Sequence, residues 1–311
     1  MTGSGEDGAY SVFQRRWWLD AAAPGCWDEV QVRRGDGVVA RLPFVLGRRA
    51  GLTRLGTAPF TKTLGPWLAP SDAKYTNALA TEIELTGELI ERLPRHDVFR
   101  QAFAPELTNW LAFHWAGFRA SAAITYRIDV LNDLDAVWSS MRENIRREIR
   151  KAERQVEVVD DLGLGRLVDL AGRTFARQGL AGGVDTTALE RIDAACADRD
   201  SRTTLFAVDA QRRVHAAAYF VWDEHVTYYL LGGGDPELRN SGASSLLLWR
   251  GIQHAAGVSR SFDFEGSMLE PVERFFRAFG GRQTPYLVLA RRGRLAGALA
   301  AAAGVARSLR R

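Results

Sequence analysis

The sequence predicts a mixed α/β (α+β) fold of two similar domains, each a mixed, mostly antiparallel sheet flanked by helices. Three observations carry this expectation. Strand-like segments recur in both halves, helix-period segments separate them, and 46% of the 311 residues are hydrophobic against 25% charged. That balance fills substantial cores without a metal or disulfide staple. The expected division is a looser first domain over 1–131 and a second over 132–290, opened by a basic helix at 132–155. A basic, Ala-rich tail helix is expected over 291–311, with Leu295, Leu299, Ala302, Val305 and Leu309 along one side.

In the first half, Phe13–Asp20 has a helical apolar face (Phe13, Trp17, Trp18). Trp27–Arg34 and Val38–Val45 read as hairpin strands about Gly35-Asp36-Gly37. The Gly- and Pro-dotted stretch Gly47–Ser71 is expected to be irregular. Tyr75–Leu93 reads as a helix, and Val98–Phe103 and Ile124–Val130 as strands. One long helix is expected from Asn132 or Asp133, burying Leu134, Val137, Met141, Ile145, Ile149 and Ala152. Helices at Leu164–Gln178 and Ala188–Ala197 follow, the latter opened by a Thr187/Glu190 capping box. Next come strands Thr203–Val208, Val214–Trp222 and Val226–Leu231, a helix Gly242–Ala256, a strand Ser261–Phe264, a helix Pro271–Ala278 and a strand Pro285–Ala290.

Net charge is +4, and only three lysines occur (Lys62, Lys74, Lys151), so arginine carries nearly all the positive charge. A GC-rich coding sequence is the main explanation of such a bias, and guanidinium forks that suit phosphate are the functional one. Cys26 and Cys196 lie far apart with no ligand spacing, so a reduced, cytoplasmic setting is expected. The polar, acidic Met1–Asp7 lacks the basic start of a secretory leader, and no apolar run reaches membrane-spanning length. A soluble monomer is expected.

Three segments carry candidate chemistry. Arg239-Asn240-Ser241-Gly242-Ala243-Ser244 follows a strand and opens a helix, where small residues let backbone amides approach an anion and the helix N-terminus favours negative charge. Phe262-Asp263-Phe264-Glu265-Gly266 alternates, sending Asp263 and Glu265 to the face opposite the two phenylalanines. A carboxylate at that strand end is placed to orient or deprotonate an amine. The basic run Arg142–Arg154 puts Arg146, Arg150 and Arg154 on one line and Arg147 and Lys151 on another, with Glu143–Arg147 and Glu148–Lys151 pairs expected. Each has a structural alternative: a turn needing small residues, a strand-end acid, a salt-bridged solvated helix. A weaker candidate is Thr61-Lys62-Thr63-Leu64-Gly65-Pro66-Trp67.

The first segment resembles the GNAT pyrophosphate loop, with Ser244 where Gly or Ala is usual. The Phe-Asp-Phe-x-Gly strand, followed by Phe275-Phe276-Arg277-Ala278-Phe279-Gly280, is similar to Fem-type aminoacyl-tRNA-dependent transferases, and the basic run resembles that family's Asn/Arg-Ile-Arg-Lys-Ala helix. The resemblance implies two GNAT-like domains and amide formation between an aminoacyl-tRNA and a small or peptidic amine, such as a cell-wall precursor or a peptide secondary metabolite. It implies Arg277, at the family's lysine, and Glu265 as catalytic. Arg239, Gly242, Ala243, Ser244 and Phe276 would bind the acyl donor. Arg146, Arg147, Arg150 and Lys151 would bind tRNA phosphates, and Lys62, Trp67 and Asp263 the acceptor. No cofactor beyond the co-substrate and no metal is expected, since His96, His114, His215, His225 and His254 lack metal spacing. No DNA partner is expected. Acyl-CoA as donor is the enzymatic alternative, and a non-catalytic RNA-binding module the other.

Overall fold

The computed structural model describes residues 8–160, 162–179 and 183–293. Contacts divide the chain into two compact units. One holds the residues up to Ala123 and those from Pro285 on, the other Ile124–Thr284.

The first unit opens with a short 3-10 turn and α1 (Arg16–Ala22). Then β1 (Trp27–Arg34) and β2 (Gly37–Arg49) form an antiparallel hairpin, Trp27 opposite Val45 and Arg34 opposite Gly37. The stretch expected to be irregular contains two more strands, β3 (Leu52–Gly56) and β4 (Trp67–Leu68), both antiparallel to β2. Strand β4 pairs with β2 across a long sequence separation, which local composition does not encode, whereas β2 and β3 join through a tight turn at Ala50 and Gly51. After α2 (Tyr75–Arg92) come β5 (Val98–Ala102), parallel to β3, and the unforeseen α3 (Leu111–Trp115). The core gathers Leu42, Phe44, Leu89, Phe99, Phe103 and Phe113, with Phe103 edge-on to Phe113.

The boundary between units falls inside β6 (Arg119–Ile128). The single long helix expected next is two: α4 (Leu134–Ser140), capped by the Asp133 carboxylate on the Ala136 amide, and α5 (Glu143–Ala152). Met141 and Arg142 between them are extended, and the Arg142 N–H donates to the Ala278 carbonyl. That tertiary bond takes the place of a helical one, while Val137, Met141, Ile145, Ile149 and Ala152 remain buried as expected. An unforeseen strand, β7 (Val156–Val159), precedes α6 (Gly163–Arg177) and α7 (Thr186–Ala197). The α7 cap is Asp185, accepting from the Ala188 amide, and not the Thr187/Glu190 box.

Strands β8 (Arg202–Asp209), β9 (Val214–Trp222) and β10 (Val226–Gly234) follow in antiparallel succession. Then come α8 (Ala243–Val258), β11 (Ser261–Asp263) and α9 (Glu270–Arg277). The sheet order in this unit is β6-β11-β10-β9-β8-β7, antiparallel except for β10 with β11. Finally β12 (Arg282–Arg292) takes the chain past Thr284, where it pairs with β5. The stretch 285–290, expected in the second domain, therefore belongs to the first unit. Of the expected tail helix, Arg291 and Arg292 are strand, and 294–311 lie outside the described residues. Among the described residues no helix is long and apolar enough to cross a membrane.

Candidate functional site

The site begins with a split in the sheet. Strands β10 and β11 pair in parallel only from Val226–Ser261 to Tyr228–Asp263. Beyond that, β10 bulges between Tyr229 and Leu231 and runs on to Gly234. A bulge bends its strand and ends regular pairing, so backbone groups on both sides of the split are left for other partners. The sequence ended β10 at Leu231 because a glycine run reads as a turn. Here the glycines serve packing: a Cβ on Gly233 would lie 2.3 Å from the Leu170 carbonyl carbon of α6, and one on Gly232 would lie 1.9 Å from the Tyr229 hydroxyl.

Past β10, Arg239–Ser241 form a single 3-10 turn and α8 starts. Gly242 is its N-cap at φ 83°, with no side-chain cap. Glycine is required twice here, by the left-handed backbone and because a Cβ would sit 2.4 Å from the Glu148 carbonyl oxygen. Ala243 is buried and its amide is taken by Ser241 Oγ at 3.3 Å. Ser244 and Arg239 are exposed.

Helix α5 packs directly on this loop. Lys151 Nζ donates to the Asn240 carbonyl at 2.5 Å, and the Ser245 hydroxyl donates to the Glu148 carboxylate at 2.6 Å. These contacts overturn the expected Glu148–Lys151 pair. Glu143 likewise pairs with Arg146 (2.7 Å) and Arg150 (3.5 Å), not with Arg147. Arg150 also lies over the Trp138 ring, 5.5 Å from its centroid. Arg147 is exposed. The structure thus brings Lys151 onto the loop that carries Arg239 at the start of α8.

On the other side of the split, β11 ends in two consecutive left-handed residues, Glu265 (φ 58°) and Gly266 (φ 59°). Gly266 is pressed on β6: a Cβ would lie 2.1 Å from the Ile124 carbonyl oxygen. A non-glycine residue in this region is strained, and the neighbours that impose the conformation are visible. Asp263 Oδ1 accepts from the Glu265 amide at 2.7 Å and from the Thr125 hydroxyl, with Arg127 Nε 3.6 Å from Oδ2. Asp263 is only 5% exposed and clamps this turn.

Helix α9 supplies Phe276 and Arg277. Phe276 is buried against Tyr229, Phe264 and Phe275. Arg277 is exposed and forked by Glu273 (Nε–Oε1 2.9 Å; Nη2–Oε2 3.4 Å). Tyr126 donates to the same carboxylate at 2.5 Å and accepts from Gln283 at 3.1 Å. The Tyr126 bond, ahead of an opposing burial effect and Arg277, holds the Glu273 carboxyl below its ordinary range. Sequence reasoning missed Tyr126, Glu273 and Tyr229; nothing local marks them, since their meeting depends on β6, α9 and the bulge.

Lys62 and Trp67 belong to the first unit. Trp67 is 7% exposed in β4. Lys62 is half-buried in a loop held by Gln14 Nε2 on the Leu64 and Gly65 carbonyls and by the Gly65 amide on Gln101. A groove of about 550 Å³ lies elsewhere, between α8 (Leu246, Arg250, His254) and β7–β8, and it includes neither Glu265 nor Arg277. The candidate site is the split, with the start of α8 following β10 and the strained turn at Glu265 following β11. Among the described residues no three His, Cys, Asp or Glu side chains group as a metal site.

Residues 139–286 match the family model of an acetyltransferase (GNAT) domain, a range that holds the split, the Gly242 loop and α9. That stretch of the second unit thus matches a GNAT domain, and the chain has a GNAT, Fem-like fold. It is similar to FemX over 89% of this chain and 91% of that one, at 12% identity and a TM-score of 0.65. It is also similar to the C-terminal domain of a candidate lysylphosphatidylglycerol synthetase from Agrobacterium fabrum (96% and 95% covered, 14% identity, TM-score 0.58). A tandem GNAT protein from the clavulanic acid biosynthesis pathway is a third (92% and 90% covered, 14% identity, TM-score 0.53). No curated protein sequence matches the chain significantly.

Proposed function

We propose that this acyltransferase takes an acyl group from a phosphate-bearing carrier and places it on an amine, forming an amide. The observation that carries the reading is the start of α8. The N-terminus of α8, held by Gly242 against α5 and bordered by Lys151 and Arg239, opens beside the β10–β11 split. Helix dipole, amides and cations there all favour an anion. Across the split, Glu265 receives the amine's proton. Arg277 supplies positive charge near the reacting carbonyl, its fork oriented by Glu273.

Of the two carriers, aminoacyl-tRNA is the first reading. Helix α5 adds Arg146 and Arg150 to these cations, and their partners are exposed ion pairs that cost little to exchange for phosphate. The fold likeness to FemX is consistent with it. The second reading is acyl-CoA, favoured by the compactness of the α8 start, which suits a single diphosphate.

The test incubates the protein with labelled aminoacyl-tRNAs and, separately, labelled acetyl-CoA, each with a panel of amines. RNase-sensitive transfer that weakens steeply with salt supports the first reading. Transfer from acetyl-CoA after RNase treatment selects the second. No transfer from either overturns the enzymatic proposal in favour of an RNA-binding role.

A further inference from the structure

Tyr229 occupies the residue at which the split opens. Tyr228 makes the last pair with β11, and the bulge begins at Tyr229 itself. Its ring is wedged between Phe220 (centroids 5.7 Å apart) and Phe276 (6.0 Å, edge-on). From there it lies along β10 so that its hydroxyl covers Gly232. Two residues further on, Gly234 abuts the Ser244 side chain at the start of α8: a Cβ there would be 3.5 Å from Ser244 Oγ. The hydroxyl therefore points from the split toward the end of α8 where the carrier's phosphate is placed. Strand geometry puts Gly232 and Gly234 roughly 6.6 Å apart along β10.

A phenol enclosed by aromatic rings normally finds a hydrogen-bond partner. Among the described residues, Tyr126 bonds Glu273, Tyr219 bonds Asp193 and Tyr10 bonds the Leu68 carbonyl, whereas no partner is recorded for the Tyr229 hydroxyl. Burial alone raises its pKa, with no charged neighbour contributing, so the group keeps its proton at any working pH. Gly232 is the complement of this arrangement, since any side chain there would displace the hydroxyl.

The geometry points to Tyr229 as a catalytic hydrogen-bond donor to the carbonyl oxygen of the acyl group, stabilising the oxyanion of the tetrahedral intermediate; this rests on the acyl-transfer reading above. The amine lone pair forms the C–N bond while the carbonyl π pair moves onto oxygen, where the Tyr229 O–H meets it. Collapse restores the carbonyl and expels the carrier's oxygen or sulfur with its bonding pair. The amine's proton passes to Glu265 and from there, through solvent, to the carrier. Tyr229 donates a hydrogen bond throughout and transfers no proton.

The test measures kcat and KM of Tyr229→Phe with the donor that the wild type uses, alongside thermal melts. Phenylalanine keeps the ring between Phe220 and Phe276, so the melt should be unchanged. Loss of one oxyanion donor should lower kcat by about 10²-fold with donor KM unaltered. Gly232→Ala should lower kcat similarly by displacing the hydroxyl, and the double variant should be no slower than the worse single one. Wild-type kcat in a normally folded Tyr229→Phe overturns the assignment and leaves acyl transfer standing. A melt lowered in step with kcat also overturns it, in favour of packing. No transfer by the wild type with either donor removes the acyl-transfer reading and this assignment with it.

Discussion

Replacing Gly242 with Ala should harm the fold itself, which is the reverse of what its place in a ligand loop suggests from sequence, where a bulkier residue would mainly obstruct the ligand. Two costs follow from the structure. At φ 83° an L-residue is strained by roughly 1–2 kcal/mol. The new Cβ would also stand 2.4 Å from the Glu148 carbonyl oxygen and 2.9 Å from its carbon. Those atoms are backbone in α5, so relief requires α5 and α8 to separate. That would disturb the Lys151–Asn240 and Ser245–Glu148 bonds. Together these give about 2–4 kcal/mol, or a fall in Tm of roughly 5–15 °C for a domain of this size. The assay is thermal melting by circular dichroism, with Gly257→Ala as control. Gly257 lies in the same helix with nothing within 4 Å of its would-be Cβ, and alanine there should be neutral or stabilise by about 0.5–1 kcal/mol. A Gly242→Ala protein melting with the wild type, and failing only in donor binding, would refute the packing argument.

Other outcomes follow from the same contacts. Arg277→Ala should lower kcat by about 10²-fold with donor affinity retained, and Arg277→Lys should recover much of it; steady-state kinetics decides. Asp263→Ala should release the left-handed turn at Glu265 and lower kcat together with Tm. Glu265→Gln should leave Tm alone and abolish the acidic limb of the pH–rate profile. At Asp209, burial pushes the carboxyl up, but bonds from His215 and from the backbone and guanidinium of Arg213 outweigh it and hold the group well below the usual range. A depressed carboxyl pKa contributes stability above its unfolded value, near ~3.9, and loses it as pH falls through the folded one. The Tm gap between wild type and Asp209→Asn should therefore hold down to about pH 4 and narrow below it; a gap that widens in acid contradicts this.

What the sequence determined by itself is whatever a local period or a local backbone requirement encodes. The bounds of β1 and β9 and the buried stripe from Val137 to Ala152 are of that kind. The GNAT character of the second half was legible because a strand, a small-residue turn and a helix start are contiguous in the chain. Tertiary structure decided everything that depends on a partner distant in sequence. Ala278 recruits the Arg142 amide and breaks the long helix, and the pairing of β3 with β5 and of β4 with β2 orders a stretch rich in breakers. Asn240 captures Lys151 from its expected helical partner, Thr125 and the Glu265 amide turn Asp263 inward, and an aromatic cluster forms around Phe276. In each case the local preference is worth a few tenths of a kcal/mol up to about one. A buried polar group left unpaired costs about 1–3 kcal/mol, so the long-range partner prevails.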